Sequence, residues 1–356
     1  MTTIAGATDI RREKARSQTP VRVWLHAIAL LIIAMIVVGG ATRLTDSGLS
    51  ITEWQPIHGT IPPLGAAEWQ EEFERYQQIP QYELINKGMT LAEFKTIFWW
   101  EWAHRFLGRF IGIAFFVPLV WFWATGRIGR ALAPQLLGVF VLGGLQGAIG
   151  WWMVASGLVE RTDVSQYRLA THLTIAFGIL ALVVWIARGL SPRPLPPGRP
   201  AGRGFAAALV ALLFVQVFLG GLVAGLDAGL ISSTWPSMDG AFVPDGLWVA
   251  QPWWINIFEN PVTAQFDHRM MAYLILAVAV VYAVLARGTL ASRGAIVLLL
   301  VLVAQAALGI TAIVLEMPLH VALTHQFVGA VTMWIAVAHL RTLSLAPHPA
   351  SASVAA

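Results

Sequence analysis

The chain has 356 residues, 57% of them hydrophobic and only 12% charged, and its mean hydropathy is +0.68. A water-soluble domain carries about 25% charged residues, so this composition excludes an ordinary soluble enzyme. The absence of cysteine removes disulfides and thiolate metal sites. The net charge of +4 gathers in short segments and gives no reason to expect a nucleic-acid partner.

A basic stretch (Arg11, Arg12, Lys14, Arg16) precedes the first apolar run, 23–40. That run is too long for a signal peptide and no small-x-small cleavage site follows it, so it reads as a retained helix. Further runs cover 110–126, 136–159, 169–187, 205–226, 270–286, 295–315 and 321–340. Each approaches the roughly 20 residues that cross a bilayer core, which predicts an all-α integral membrane protein with eight spans. The connection 43–97 carries eight acids against four bases, and its acidic, aromatic segment 66–94 suits amphipathic helices lying over the first spans. The connections after the second, fourth and sixth spans are basic instead. They hold Arg127 and Arg130, then Arg188, Arg193, Arg199 and Arg203, then Arg287 and Arg293. The positive-inside rule therefore places both termini in the cytoplasm.

The chain repeats itself. "GGATRLTDSGLSITEW" (39–54) matches "GGLVAGLDAGLISSTW" (220–235), and "EWAHRF" (101–106) matches "FDHRM" (266–270). "LQGAIG" (145–150) pairs with "AQAALG" (304–309), and "LATHL" (169–173) with "ALTHQ" (322–326). Four matches in one order mark an internal repeat. Four spans per half is an even number, so both halves insert the same way up, as a parallel repeat of four-helix bundles. The expected boundaries are a tail 1–20, a first bundle 21–189, a linker 190–203, a second bundle 204–343 and a tail 344–356.

Of nine histidines, His58 and His348 read as solvated residues, and His26 and His339 as structural ones near the cytoplasmic ends. His320, at the outer mouth of the eighth span, has no assigned role. His104, His172, His268 and His325 differ. Each stands one or two turns into an inward-running span, two in each half, at one expected depth. Paired imidazoles without carboxylate or thiolate company suit haem iron with axial histidines inside a bundle. Arg105 and Arg269 each follow one of these histidines, and Arg168 lies one turn before His172, where guanidinium forks can hold haem propionates. Interfacial snorkelling is the plainer alternative. Trp54 and Trp235 can pack on porphyrins or anchor the interface.

The halves disagree at Glu101, which aligns with Gln265. Glu101 shares a helix face with His104 and is the candidate proton acceptor; complementing the helix dipole is the simpler reading. These residues alone fit two haem pockets in an electron-transfer cytochrome b, a haem carrier or an enzyme.

"GGATRLTDSGLSITEWQPIHGTIPP", "EWAHRFLGR", "YRLATHL", "FDHRMMAY" and "ALTHQFVGA" together resemble the haem A synthase family over roughly residues 20–342. The resemblance is closest to the mitochondrial-type branch, which lacks the loop cysteine pairs of the other branch. It implies oxidation of a methyl group of haem O to a formyl group by successive hydroxylations, making haem A for terminal oxidases in the bacterial cell inner membrane. It also implies haem O between His104 and His172, a resident haem b between His268 and His325, and Glu101 as the essential acid. Its implied partners are the membrane lipid, haem O synthase and an electron donor. A homo-oligomer is compatible with the sequence.

Overall fold

A computed structural model describes residues 2–54, 58–190 and 201–346, with the side chains of 2–17 and 58 left out. Most of the expected linker (191–200, with Arg193 and Arg199) and the tail from 347 on (with His348) lie outside the described residues. The first half forms α1 (Thr2–Leu44), α2 (Ala66–Tyr76), α3 (Pro80–Leu84), α4 (Leu91–Ala124), α5 (Ala133–Val154) and α6 (Gln166–Gly189). The second half forms α7 (Arg203–Gly225), α8 (Asn256–Glu259), α9 (Pro261–Leu285), α10 (Ser292–Val314) and α11 (Leu319–Ser344).

Eight of these helices (α1, α4, α5, α6, α7, α9, α10 and α11) are long and apolar enough to cross a membrane, and the protein is a multi-pass membrane protein. The connections after α1, α5, α7 and α10 lie at one end, called the loop side here. Those after α4, α6 and α9 lie at the other, the linker side.

Helix α1 packs on α4 and α6, and α5 bridges α4 to α6, so four helices close a ring. In the second half α7 packs on α9 and α11, and α10 bridges α9 to α11, in the same cyclic order. The rings meet through α6 on α7, α1 on α11 and α6 on α11. Backbones approach closely at the α6–α7 contact. A Cβ on Gly221 would lie 2.6 Å from Cα of Ala170, and one on Gly225 2.6 Å from Cα of Gln166. Small residues four apart serve such contacts between membrane helices.

Core packing is uneven along the rings. On the linker side a continuous apolar cluster fills both, from Leu25, Ile28 and Ile32 through Leu136, Leu180 and Leu209 to Leu298 and Met333. Nearer the loop side it stops. Residues 102–114 of α4, 140–154 of α5 and 171–176 of α6 contain no buried residue, and neither do 270–274, 303–311 and 323–329 in the second ring.

The long connection folds as the amphipathic pattern expects. Trp69, Phe73 and Tyr76 line one face of α2 and pack with Phe94 and Phe98 of α4, Leu49 and Val164. Helix α4 starts earlier than the apolar run indicates. Thr90 caps it, accepting from the backbone N–H of Glu93 while the Glu93 carboxylate accepts from that of Thr90 at 2.8 Å. Its 34 residues extend about 51 Å at 1.5 Å per residue, so its first turns stand clear of a core about 30 Å thick and carry α2 and α3.

Candidate functional site

The four singled-out histidines occupy equivalent places in the two rings. His104 on α4 lies against Gly39 of α1, and His268 on α9 against Gly220 of α7. His172 on α6 lies against Gly150 of α5, and His325 on α11 against Gly309 of α10. A Cβ at these glycines would come within 2.6, 3.1, 3.0 and 2.9 Å of the respective Cε1 atoms. At Gly39 and Gly309 a methyl would overlap the imidazole edge, and at Gly150 and Gly220 the ring would have to give by a few tenths of an ångström. All four Nδ1 atoms are buried without a hydrogen-bond partner. His104 lies within electrostatic reach of His172, and His268 of His325. Each pair thus belongs to one ring, at the level where the apolar core stops. Buried polar atoms without partners are rare in folded proteins, and here four recur at equivalent positions.

Glutamines fix the helices that carry these rings. Gln146 donates to the backbone carbonyl of His172 at 2.8 Å, Gln305 to that of His325 at 2.9 Å and Gln216 to that of His268 at 3.1 Å. In the repeat register, Met35 stands where Gln216 would be, so His104 lacks this support. Measured from its helix start, His104 is also displaced. It lies 13 residues after Leu91, whereas the other three lie six or seven residues in. The expected one or two turns holds for those three and fails for His104, because the capped start of α4 adds two turns above it.

Glu101 is fully buried at the loop end of this arrangement. Its Oε2 accepts from the Ser50 hydroxyl at 2.8 Å and the Ile51 N–H at 2.7 Å. Its Oε1 accepts from Nε and Nη2 of Arg105 at 3.0 and 2.6 Å. Arg105 also donates to the carbonyls of Ile51 and Glu53. Arg269 repeats this staple with the carbonyls of Ser232 and Thr234. Gln265, in the place of Glu101, donates to Ser232 and Gly229, and its Oε1 and Nε of Arg269 are both buried without partners.

The other candidates are more peripheral. Arg168 donates to the carbonyl of Trp152 and stacks over that indole. Trp54 meets Trp151 edge-on at 5.2 Å, and Trp235 donates to the Tyr273 hydroxyl at 3.0 Å; both indoles are nearly half exposed. His320 is exposed. His339 pairs with the Tyr282 hydroxyl at 2.7 Å and His26 stacks on Trp334, so both pack structurally near the linker side, as expected.

Comparison with known proteins decides the family. Residues 22–337 match the profile of a family described as cytochrome oxidase assembly protein. The chain belongs to that family. It is 56% identical to the "Heme A synthase" of Chelativorans sp. (strain BNC1) over 338 residues, 94% of this chain and 93% of that one. It is equally similar to the proteins of that name from Allorhizobium ampelinum (95% and 94% covered) and Brucella ovis (92% of each).

Within this family member, the sequence reading missed the glycines under the imidazoles, the glutamines behind them and Ser50. The repeat alignment had already paired Gly39 with Gly220 and Gly150 with Gly309. Their meaning depended on which helices become neighbours.

Proposed function

We propose that this protein is a haem A synthase, which oxidises a methyl group of haem O to a formyl group through two successive hydroxylations. The observation that carries the reading is the fourfold imidazole-on-glycine arrangement with its unpartnered Nδ1 atoms, in a chain 56% identical to proteins named for this activity. The two rings are two copies of one haem-binding bundle. His104 and His172 take haem O as substrate, and His268 and His325 hold a resident haem b. When bound, that haem supplies electron transfer.

The residues around each ring divide the remaining work. The Gly39, Gly150, Gly220 and Gly309 backbones fix the imidazole edges, and α2 and α3 cover the loop side of the first ring and keep water out. The second-ring anion partner is Arg269, a buried guanidinium whose Nε has no hydrogen-bond partner among the described residues, suited to a propionate. In the first ring Arg105 already holds Glu101, which leaves Arg168 for that role. Glu101 receives a proton at Oε2, the oxygen that Ser50 touches, while Arg105 keeps Oε1 in place. Arg127, Arg130, Arg188, Arg203, Arg287 and Arg293 all lie on the linker side, which supports a cytoplasmic linker side and an inner-membrane location. Haem O synthase supplies the substrate. Each hydroxylation takes one dioxygen, and two electrons from a separate donor, one oxygen atom entering the methyl carbon and the other leaving as water. The resulting diol loses water to give the formyl group.

Porphyrin extraction from protein purified with and without a haem O supply tests the reading. Haem B together with haem O or haem A is the expected content. Haem B alone despite the supply would identify an electron-transfer cytochrome, and haem O returned unchanged after reductant and oxygen would identify a carrier. Glu101→Gln is expected to retain both haems and accumulate unoxidised haem O. Haem A made at the normal rate by that variant removes the role given to Glu101.

A further inference from the structure

The rings differ most on one face of α5. Leu136 and Val139 are buried on it, Gly143 and Gly147 follow on the same side, and Gly150 then receives the His172 ring. A Cβ at Gly143, Gly144 or Gly147 would meet no atom within 4 Å. In the register that pairs "LQGAIG" with "AQAALG", α10 carries Leu302, Val303 and Ala306 at these places, and Leu302 is buried in the apolar core. Helix α4 adds Gly112, again with nothing within 4 Å, where α9 has the partly buried Leu276. The α4–α5 contact is also the slightest in either ring, while α9 and α10 pack closely.

A glycine inside a helix costs about 1 kcal/mol relative to alanine. The usual return in membranes is close helix approach, which these glycines do not provide. At the top of the stripe, Nδ1 of His172 and Oε1 of Gln146 are buried without partners among the described residues. Gly112, Gly143, Gly144 and Gly147 are exposed, so the glycines lie between a polar site and the outer surface of the ring. Haem O differs from haem b in carrying a farnesyl chain, an apolar tail that must lie somewhere once the macrocycle is between the histidines.

We propose that the α4–α5 seam, floored by Gly143 and Gly147, admits haem O sideways from the lipid and seats its farnesyl chain, and that Leu302 closes the same path in the second ring. This rests on the assignment of haem O to the first ring. It makes Gly143 and Leu302 the residues that decide which haem each ring accepts.

The test is haem analysis of the full-length protein purified from cells supplied with haem O. Gly143→Leu is expected to lower bound haem O about tenfold or more relative to haem B, with second-ring haem B unchanged as the sign of an intact fold. Leu302→Gly is expected to let haem O appear at the His268–His325 site, detected in a His104→Ala background that disables the first site. Undiminished haem O in Gly143→Leu, together with no haem O in the Leu302→Gly background, would overturn the proposal while leaving the assignment of the rings intact. A parent protein that takes up no haem O through His104 and His172 would end both.

Discussion

The two rings share a frame and differ in what they hold fixed. Around His268 and His325 every element has a fastener: Gln216 and Gln305 bond the backbones of these histidines, Leu302 fills the core and Arg269 staples the loop. Around His104 and His172 one glutamine has become Met35, the core leucine has become Gly143, and the staple contains an acid. A tightly fastened ring suits a permanent haem. A ring with an open seam and a flexible methionine suits a haem that arrives, reacts and leaves.

The largest expected break in this comparison is at Glu101. Its carboxylate is ion-paired with Arg105, and both side chains are largely buried. Removing one partner of such a pair costs about 3 kcal/mol or more. Gln265 makes two donor bonds and already leaves its Oε1 unpaired, so its loss costs about 1 kcal/mol. Glu101→Ala should therefore loosen the 58–90 connection far more than Gln265→Ala loosens 230–260, as read by limited proteolysis and thermal unfolding. The pair Glu101→Gln with Ser50→Ile copies the second ring, with its Gln265 and Ile231, and should restore most of the loss. Equal sensitivity in the two loops would erase the distinction.

Next in size is the glycine contact. A methyl at Gly39 would sit 2.6 Å from Cε1 of His104, and one at Gly220 3.1 Å from that of His268. The first forces the ring to move, while the second asks for a few tenths of an ångström. Overpacking costs about 1–3 kcal/mol. Gly39→Ala should then lower first-ring haem occupancy about tenfold or more, and Gly220→Ala should lower second-ring occupancy much less. Haem-to-protein ratios and the low-spin absorption of imidazole-ligated iron distinguish the two.

How far the sequence reached follows from the same residues. The eight spans were legible because each is an apolar run of membrane length, and the four histidines because polar residues stand out in such runs. The amphipathic cover was legible in the spacing of Trp69, Phe73 and Tyr76. The start of α4 was not, since the capping at Thr90 lies in a polar segment outside the hydropathy signal. Nor was the stapling of the loop by Arg105, because Ile51 and Glu53 offer it backbone carbonyls, which every residue has. Its pairing with Glu101, four residues earlier on the same helix, was within reach of the sequence. Gly143 was visible as a letter, but its open face depends on how α4 and α5 pack.

The smallest effect is expected where the rings touch on the loop side. Arg43 donates to Asp46 at 2.9 Å and reaches across to both carboxylate oxygens of Asp227 at 2.8 Å, with Asp163 at 3.9 Å. Asp46 and Asp227 are repeat equivalents, both in the left-handed region at φ 50° and 49°. Burial raises the Asp46 carboxyl above its ordinary value, and Asp163 and Asp227 add to this against the opposing pull of Arg43. A raised carboxyl binds its proton more tightly in the folded state, so ionising Asp46 works against the fold. That cost is present in full above the raised value and is relieved as the pH falls toward 3.8. The side chain is 66% exposed, and solvent screening holds the effect to a few tenths of a kcal/mol. Asn tolerates the left-handed backbone as Asp does and can still accept from Arg43. Asp46→Asn should thus match or slightly exceed the parent in thermal stability at neutral pH, and the difference should vanish in acid. A variant clearly less stable than its parent at neutral pH would mean that Arg43 needs the Asp46 charge as well as that of Asp227 to join the two rings.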